Sequence, residues 1–268
     1  MTRVATLVKA LRTLARHPQS LARVIDLEAE MMHRVASVHG LERGLQTIDL
    51  LDLFPDLDET VEPYSYLEGT SLPTDLALLK GLARRYPRCQ YLEIGTWRGE
   101  SVANVASVAE HCFSVSLSAA EMRKLGLSES FVANHRAFSR ALKNVTYIEH
   151  DSHTYDFSSL QGKFDLVFID GDHSYQGVKT DTATAFGLLR DPTSAIVWHD
   201  YGMGPETVRW TVLAGILDGC PAERRAHLYH VSNTQCAVYL PGTFRTTMTE
   251  FPQLPNKSFA VRLSATPW

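Results

Sequence analysis

Two short acid–histidine runs are the places where this chain can do chemistry. Asp170-Gly171-Asp172-His173 follows the apolar run FDLVFI, and His199-Asp200 follows AIVW. Short, nearly unbroken apolar runs of this kind read as strands buried on both faces. In an open α/β sheet, ligands bind just beyond the carboxyl ends of such strands. If the two strands are neighbours, Asp170, His173, His199 and Asp200 meet. Carboxylates and imidazoles gathered in this way can hold a divalent cation. A cation lowers the pKa of a bound hydroxyl and fixes its orientation. His173, with an ordinary pKa of ~6.5, can take the released proton. The structural alternative is that Asp170 and Asp172 cap the following helix while His199 hydrogen-bonds the core.

A third feature is the turn Gly95-Thr96-Trp97-Arg98-Gly99-Glu100-Ser101, between the strand QYLEI and a helix. Gly95 permits a tight turn and Gly99 a close backbone approach. The helix that follows offers unpaired N–H groups to a ligand. The spacing is not Gly-x-Gly-x-x-Gly, which counts against a nicotinamide site, and Gly-Lys-Ser/Thr is missing, which excludes a P-loop.

These features need a scaffold, and the pattern supplies one. Helices are expected over Pro73–Tyr86, from Gly99 to about His111, from Ala119 to about Leu142 with interruptions, over Val178–Leu189 and over Pro205–Leu217. Strands are expected at Gln90–Ile94, Phe113–Leu117, Val145–Glu149, Phe164–Ile169 and Ala195–Trp198, with a hairpin from His227–Val231 and Gln235–Leu240 around Ser232-Asn233-Thr234. Alternating strands and helices imply a mostly parallel sheet covered on both faces. Before this core, residues 1–70 read as a helical segment and an acidic connector broken by Pro55 and Pro63. The core domain covers 71–245, and 246–268 read as an irregular tail.

The combination resembles a known family. Glu93-x-Gly95-x-x-x-Gly99 resembles the first motif of class I S-adenosylmethionine-dependent methyltransferases. FDLVFIDGDHSYQGVKTD followed by AIVWHDYG resembles a bacterial branch that includes macrocin-type sugar and natural-product O-methyltransferases. The resemblance covers residues 73 to about 240. It implies a Rossmann-like, doubly wound α/β fold, with a seven-stranded sheet whose last strand is antiparallel.

For the site, the resemblance implies that Gly95, Thr96, Gly99 and Ser101 lie under the methionine part of the cofactor. Glu93 would hold the loop or reach the amino group through water. Asp151 would meet the adenine amino group, with Ser152 beside it. Asp170, His199 and Asp200 match metal-ligand positions, for magnesium or manganese, and His173 matches the proposed base. His199 stands where an acid is common, and imidazole suits manganese, iron or zinc better than magnesium. Ser116 stands where the family usually carries an acid for the ribose hydroxyls. A lost charge-assisted bond costs on the order of 1.5–3 kcal/mol, unless Glu121 reaches in. Asp151 as a turn cap and Glu93 paired with an arginine are the structural alternatives. Tyr175 and Tyr201 are candidates to line the acceptor pocket.

Composition narrows the partners. The 268 residues carry a net charge of -4, which gives no electrostatic case for nucleic acid. The four cysteines are far apart and form no CxxC pair, so neither a zinc site nor a disulfide framework is expected and a reducing cytoplasm is the simpler setting. No apolar run is long enough for a transmembrane helix. Val4, Leu7, Val8, Leu11 and Leu14 recur at helical spacing before Pro18, among Arg3, Lys9, Arg12, Arg16 and Arg23. Such a basic amphipathic helix can touch an anionic membrane. The simpler expectation is packing on the core or on the second subunit of a homodimer. The leading functional expectation is therefore a methyltransferase acting on a hydroxyl of a small acceptor, a sugar or glycan among the candidates. A nucleotide-dependent dehydrogenase and a non-catalytic binding protein with a decayed cofactor site are the competitors.

Overall fold

The structure is a computed structural model that describes residues 27–267. The expected helix over Val4–Leu14, its end at Pro18 and the basic residues around it lie outside the described residues.

One nine-stranded sheet organises the chain. Its five parallel strands are β2 (Gln90–Ile94), β3 (His111–Ser116), β4 (Val145–Glu149), β5 (Leu166–Ile169) and β6 (Ala195–Trp198). They lie in the order β6-β5-β2-β3-β4. The chain leaves β2 towards β3 and β4, then crosses back to β5 on the other side. The carboxyl ends of β2 and β5 are therefore the switch point, where such folds bind ligands.

The hairpin β9 (Leu228–Val231) and β10 (Ala237–Tyr239) completes a seven-stranded, Rossmann-like sheet. β10 is the antiparallel strand, paired with β6 through Val238↔Val197 and with β9 through Val238↔Tyr229. Two strands of two residues extend this edge: β1 (Thr47–Ile48), parallel to β9, and β11 (Thr246–Thr247), antiparallel to β1.

Both faces of the sheet are covered, which explains the unbroken apolar sequence of β5. Val167 and Ile169 face a core shared with α1 (Leu27–His39), α7 (Tyr175–Leu188) and α8 (Trp210–Gly219). Leu166 and Phe168 face the opposite core, filled by α2 (Leu50–Leu53), α3 (Pro73–Ala83) and α4 (Glu100–Ala106). Each fully buried Leu or Ile in these layers contributes about 1.5–3 kcal/mol.

Several elements differ from the sequence expectation: α4 ends at Ala106 rather than near His111, α7 starts at Tyr175 rather than Val178, and the tail expected to be irregular contributes β11. The interrupted helix after Ala119 is two short helices, α5 (Ala119–Lys124) and α6 (Glu129–Asn134), each begun by a serine cap at Ser118 or Ser128. The last helix starts at Trp210 rather than Pro205, because 202–208 fold into a small hairpin of β7 (Gly202–Gly204) and β8 (Thr207–Val208). β3 begins at His111, because His111 and Cys112 pair with Gln90 and Tyr91. Among the described residues, no helix is long and apolar enough to cross a membrane.

Candidate active site at the carboxyl edge of the sheet

Strand register sets the site. Ile94 pairs with Ile169, and Ile169 with Trp198, so Gly95, Asp170 and His199 emerge side by side. Gly95 has φ +92°, a left-handed conformation that favours glycine. A Cβ on it would stand 2.1 Å from the Asp170 carbonyl oxygen. The β2 and β5 turns thus touch through backbone alone. Gly99, at φ +82°, precedes the first residue of α4, and a Cβ there would press on Ser139 Oγ at 2.2 Å.

Glu93 lies completely buried beneath this turn. It accepts hydrogen bonds from Tyr91 Oη at 2.9 Å and Thr96 Oγ1 at 2.6 Å, and the Ser101 hydroxyl also favours its charged form. Burial pushes its carboxyl up to about 7, against the pull of those three donors. Glu93 therefore ties the turn down from below, and the alternative of an arginine partner is not what the structure contains. The connector is pinned on the other side of the turn. Glu100 accepts from Ser65 N at 2.6 Å, and Asn104 binds Glu62 N and Pro63 O at 2.9 Å each.

The end of β3 is unlike the expected acid position. Ser116 Oγ accepts from Arg136 Nη2 at 3.0 Å and lies 3.1 Å from His135 Nε2. Arg136 is itself buried, with its Nη1 on Glu149 Oε1 at 2.8 Å and its guanidinium over the Tyr147 ring at 4.4 Å. Glu121 is occupied in the cap of α5, accepting from the backbone N of Ser118 at 2.8 Å and from its hydroxyl at 2.7 Å. Beyond β4, Asp151 Oδ1 accepts from His153 N at 3.0 Å, the turn-capping role, and leaves Oδ2 free of any recorded bond. Behind Ser152, both carboxyl oxygens of Asp181 are buried without a hydrogen-bond partner, and burial pushes that carboxyl up to about 6.

The acid–histidine cluster forms as the sequence suggested. His173 Nε2 lies 3.0 Å from Asp200 Oδ2 and 3.5 Å from Asp170 Oδ1. His199 Nδ1 lies 3.2 Å from Asp170 Oδ1 and 3.3 Å from Asp200 Oδ2. Ligand atoms of Asp170, His173 and Asp200 all fall within 4.8 Å of one another. Asp200 adopts a left-handed φ of +57°, which turns its side chain back into the cluster at a cost of order 1–3 kcal/mol.

Burial opposes charge on Asp170, yet the His199 and His173 rings outweigh it and hold the carboxyl well below its usual range. Burial likewise opposes charge on His199, yet Asp170, Asp200 and Asp75 raise it well above the ordinary histidine value. The hydrogen bond to Asp170 raises His173 despite its own partial burial. The cluster is thus a set of negative oxygens that demands positive charge.

Two residues of this site escaped the sequence reading. Asp75, near the start of α3, is fully buried and lies 3.2 Å from His199 Nε2 through its Oδ2. Arg209 Nη2 lies 3.3 Å from Asp200 Oδ1. An acid in the first turn of a helix reads as a cap, which Asp75 also is, since it accepts from Leu72 N at 2.7 Å. Of the pocket tyrosines, Tyr175 donates to Asp218 at 2.6 Å and Tyr201 accepts from Leu45 N at 2.9 Å within the core, so both serve packing. Asp172 accepts from Ser174 N at 2.9 Å and Ser174 caps α7, so the capping reading holds for Asp172 and not for Asp170.

Residues 92–201, the stretch containing the turn and the cluster, match the family model described as a methyltransferase domain. This segment is similar to a methyltransferase domain. Among solved structures, a Podospora anserina methyltransferase with bound S-adenosylhomocysteine is 20% identical; the match covers 80% of this chain and 96% of that one, with a TM-score of 0.45. The S-adenosylmethionine-bound amino pentose methyltransferase of Micromonospora echinaspora, involved in calicheamicin biosynthesis, is 19% identical over 49% of this chain and 51% of that one, with a TM-score of 0.35. An S-adenosylmethionine-dependent methyltransferase of Mesorhizobium loti is 19% identical over 48% and 55%, with a TM-score of 0.34. In the first of the matching structures, the matched part is about half of their length or less. Among curated proteins, none matches the sequence. Within the matched segment, Gly95, Gly99, Asp170, His173, His199 and Asp200 all lie along one edge of the sheet.

Proposed function

We propose that the chain transfers a methyl group from S-adenosylmethionine to a hydroxyl of a sugar, glycan or similar small polar acceptor, with a divalent cation at the Asp170 cluster. The observation that carries this reading is the convergence of Asp170, His173, His199 and Asp200 next to the Gly95 turn.

The donor atoms fit a cation. His199 Nδ1 is buried without a hydrogen-bond partner although two carboxylates face it. Asp170, His199 and Asp200 would hold the ion, and the mixed imidazole and carboxylate set favours manganese, iron or zinc over magnesium. When bound, the ion supplies the positive charge that lowers the pKa of an acceptor hydroxyl. When bound, the cofactor supplies an electrophilic methyl on its sulfonium sulfur.

The chain's residues do the rest. The Gly95–Gly99 turn and the first amides of α4 receive the methionine part, with Glu93, Thr96 and Ser101 holding the turn from below. Ser116 faces the ribose, and Asp151 with Ser152 faces the adenine. His173 removes the acceptor proton at Nδ1, the nitrogen not turned towards Asp200 and Asp170. Its ring is 44% exposed, so an acceptor arriving from solvent can reach it, while Asp200 and Asp170 aim it into the cluster.

One observation favours a second reading, a non-catalytic binding protein with a decayed cofactor site: Ser116 replaces the expected acid and is already engaged by Arg136. The test is to incubate the protein with methyl-labelled S-adenosylmethionine and a panel of sugars, glycosides and phenols, with Mn²⁺, Mg²⁺ or EDTA. Label transferred to a hydroxyl, lost with EDTA and restored by Mn²⁺, supports the proposal. Bound cofactor with no product on any acceptor moves the second reading to first place.

A further inference from the structure

Asp75 is a second acid at the cluster, delivered from an unrelated part of the chain. Its carboxyl is completely buried at the start of α3. Oδ1 accepts from Gln235 N at 2.8 Å, and Oδ2 accepts from Leu72 N at 2.7 Å. The helix start is fastened to the β9–β10 turn by Thr74 Oγ1, which donates to Asn233 O at 2.6 Å. The carboxyl is therefore held from both sides before it meets His199 Nε2 at 3.2 Å.

Both Asp75 oxygens already accept from backbone N–H groups, so the carboxyl meets His199 as an acceptor. His199 Nε2 must then carry the proton that points at Asp75. Nδ1 is left facing Asp170 Oδ1 and Asp200 Oδ2, and it has no hydrogen-bond partner. Once a cation takes the place of the Nδ1 proton that the two acids favour, an imidazole held in this way presents its Nδ1 lone pair to the ion between them. Metal-binding histidines are commonly oriented by a carboxylate on their other nitrogen, and removing that carboxylate costs 10–100-fold in metal affinity or activity.

We propose that Asp75 is a positioning residue that fixes His199 as an Nδ1 ligand and so biases the site towards a transition-metal ion over magnesium. This rests on the metal-assisted reading above. Asp75 touches neither acceptor nor cofactor in this scheme; it acts through His199.

The experiment uses the full chain stripped with EDTA, with Mn²⁺ alone as probe, read by the electron paramagnetic resonance signal of the free ion. Mg²⁺ is then added as competitor. Wild type should bind Mn²⁺ in preference to Mg²⁺. Asp75→Asn should weaken Mn²⁺ binding roughly 10–100-fold and shrink that preference. In a His199→Gln background, Asp75→Asn should change nothing further. Equal Mn²⁺ affinity in wild type and Asp75→Asn, with His199→Gln impaired, overturns the role of Asp75 and leaves the metal-assisted reading intact. An equal loss from Asp75→Asn in both backgrounds overturns it as well, since the residue then acts through the fold. No Mn²⁺ binding by wild type overturns both. Should Asp75→Asn fail to fold, nitrogen NMR of histidine-labelled wild type with Zn²⁺ decides. A proton on His199 Nε2 supports the proposal, and one on Nδ1 contradicts it.

Discussion

Gly95 and Asp170 meet backbone to backbone: a Cβ on Gly95 would stand 2.1 Å from the Asp170 carbonyl oxygen. The turn that would receive the cofactor and the strand end that carries the first acid of the cluster are therefore one rigid unit. Gly95→Ala combines this overlap with a φ of +92°. Overpacking costs about 1–3 kcal/mol and backbone strain a similar amount. The variant should melt well below wild type and lose binding of S-adenosylhomocysteine, which differential scanning and calorimetry would report.

Glu93 gives a pH signature. Burial pushes its carboxyl up to about 7, while the unfolded chain keeps an ordinary carboxylate value. Between those values the folded state holds the extra proton, so stability falls as pH rises through this window and stays lowered above it. The effect is on the order of 3 kcal/mol. Glu93→Gln removes it, so the stability of the variant relative to wild type should improve from pH 5 to pH 8. Urea denaturation at both pH values checks this; a gap independent of pH would contradict it.

Arg136 is the buried cation of the β3 edge, bonded to Ser116 and Glu149. Hydrogen bonds to charged groups contribute about 1.5–3 kcal/mol, although the Glu149 side is exposed and counts for less. Arg136→Ala should destabilise the chain by roughly 2 kcal/mol and weaken cofactor binding, because Ser116 loses the donor that orients it. Denaturant titration and calorimetry together measure the two effects.

Asp218 fastens α1 to the domain. Arg34, His39 and Tyr175 all converge on its carboxylate. Burial opposes its ionisation, but these three donors hold it below the usual carboxylate range. Asp218→Ala should loosen α1 selectively, seen as faster amide hydrogen exchange over Leu27–His39 with little change in the sheet.

The parts of this architecture that were legible in the sequence are those written locally. FDLVFI announces a doubly buried strand, and the residue after it announces an edge position. The Gly95–Gly99 spacing and Asp170-Gly171-Asp172-His173 could be placed because each sits at a strand end. Asp75 could not, because its partner His199 lies 124 positions away and an acid in a first helical turn reads as a cap. Arg136 was hidden for the same reason: its role exists only where the chain folds back onto Ser116. Pro205 resembled a helix start, yet Gly202 and Gly204 set a bulged hairpin that delays the helix to Trp210. β1 and β11 are two residues each, too short for any periodicity to declare them.

The central claim is that the carboxyl edge around Gly95 binds S-adenosylmethionine. Isothermal calorimetry with S-adenosylhomocysteine tests it most directly, on wild type and on Gly95→Ala. The account predicts one molecule bound per chain in wild type and none in the variant. No heat from wild type at saturating ligand would contradict it, and would leave the cluster of Asp170, His173, His199 and Asp200 without a methyl donor to serve.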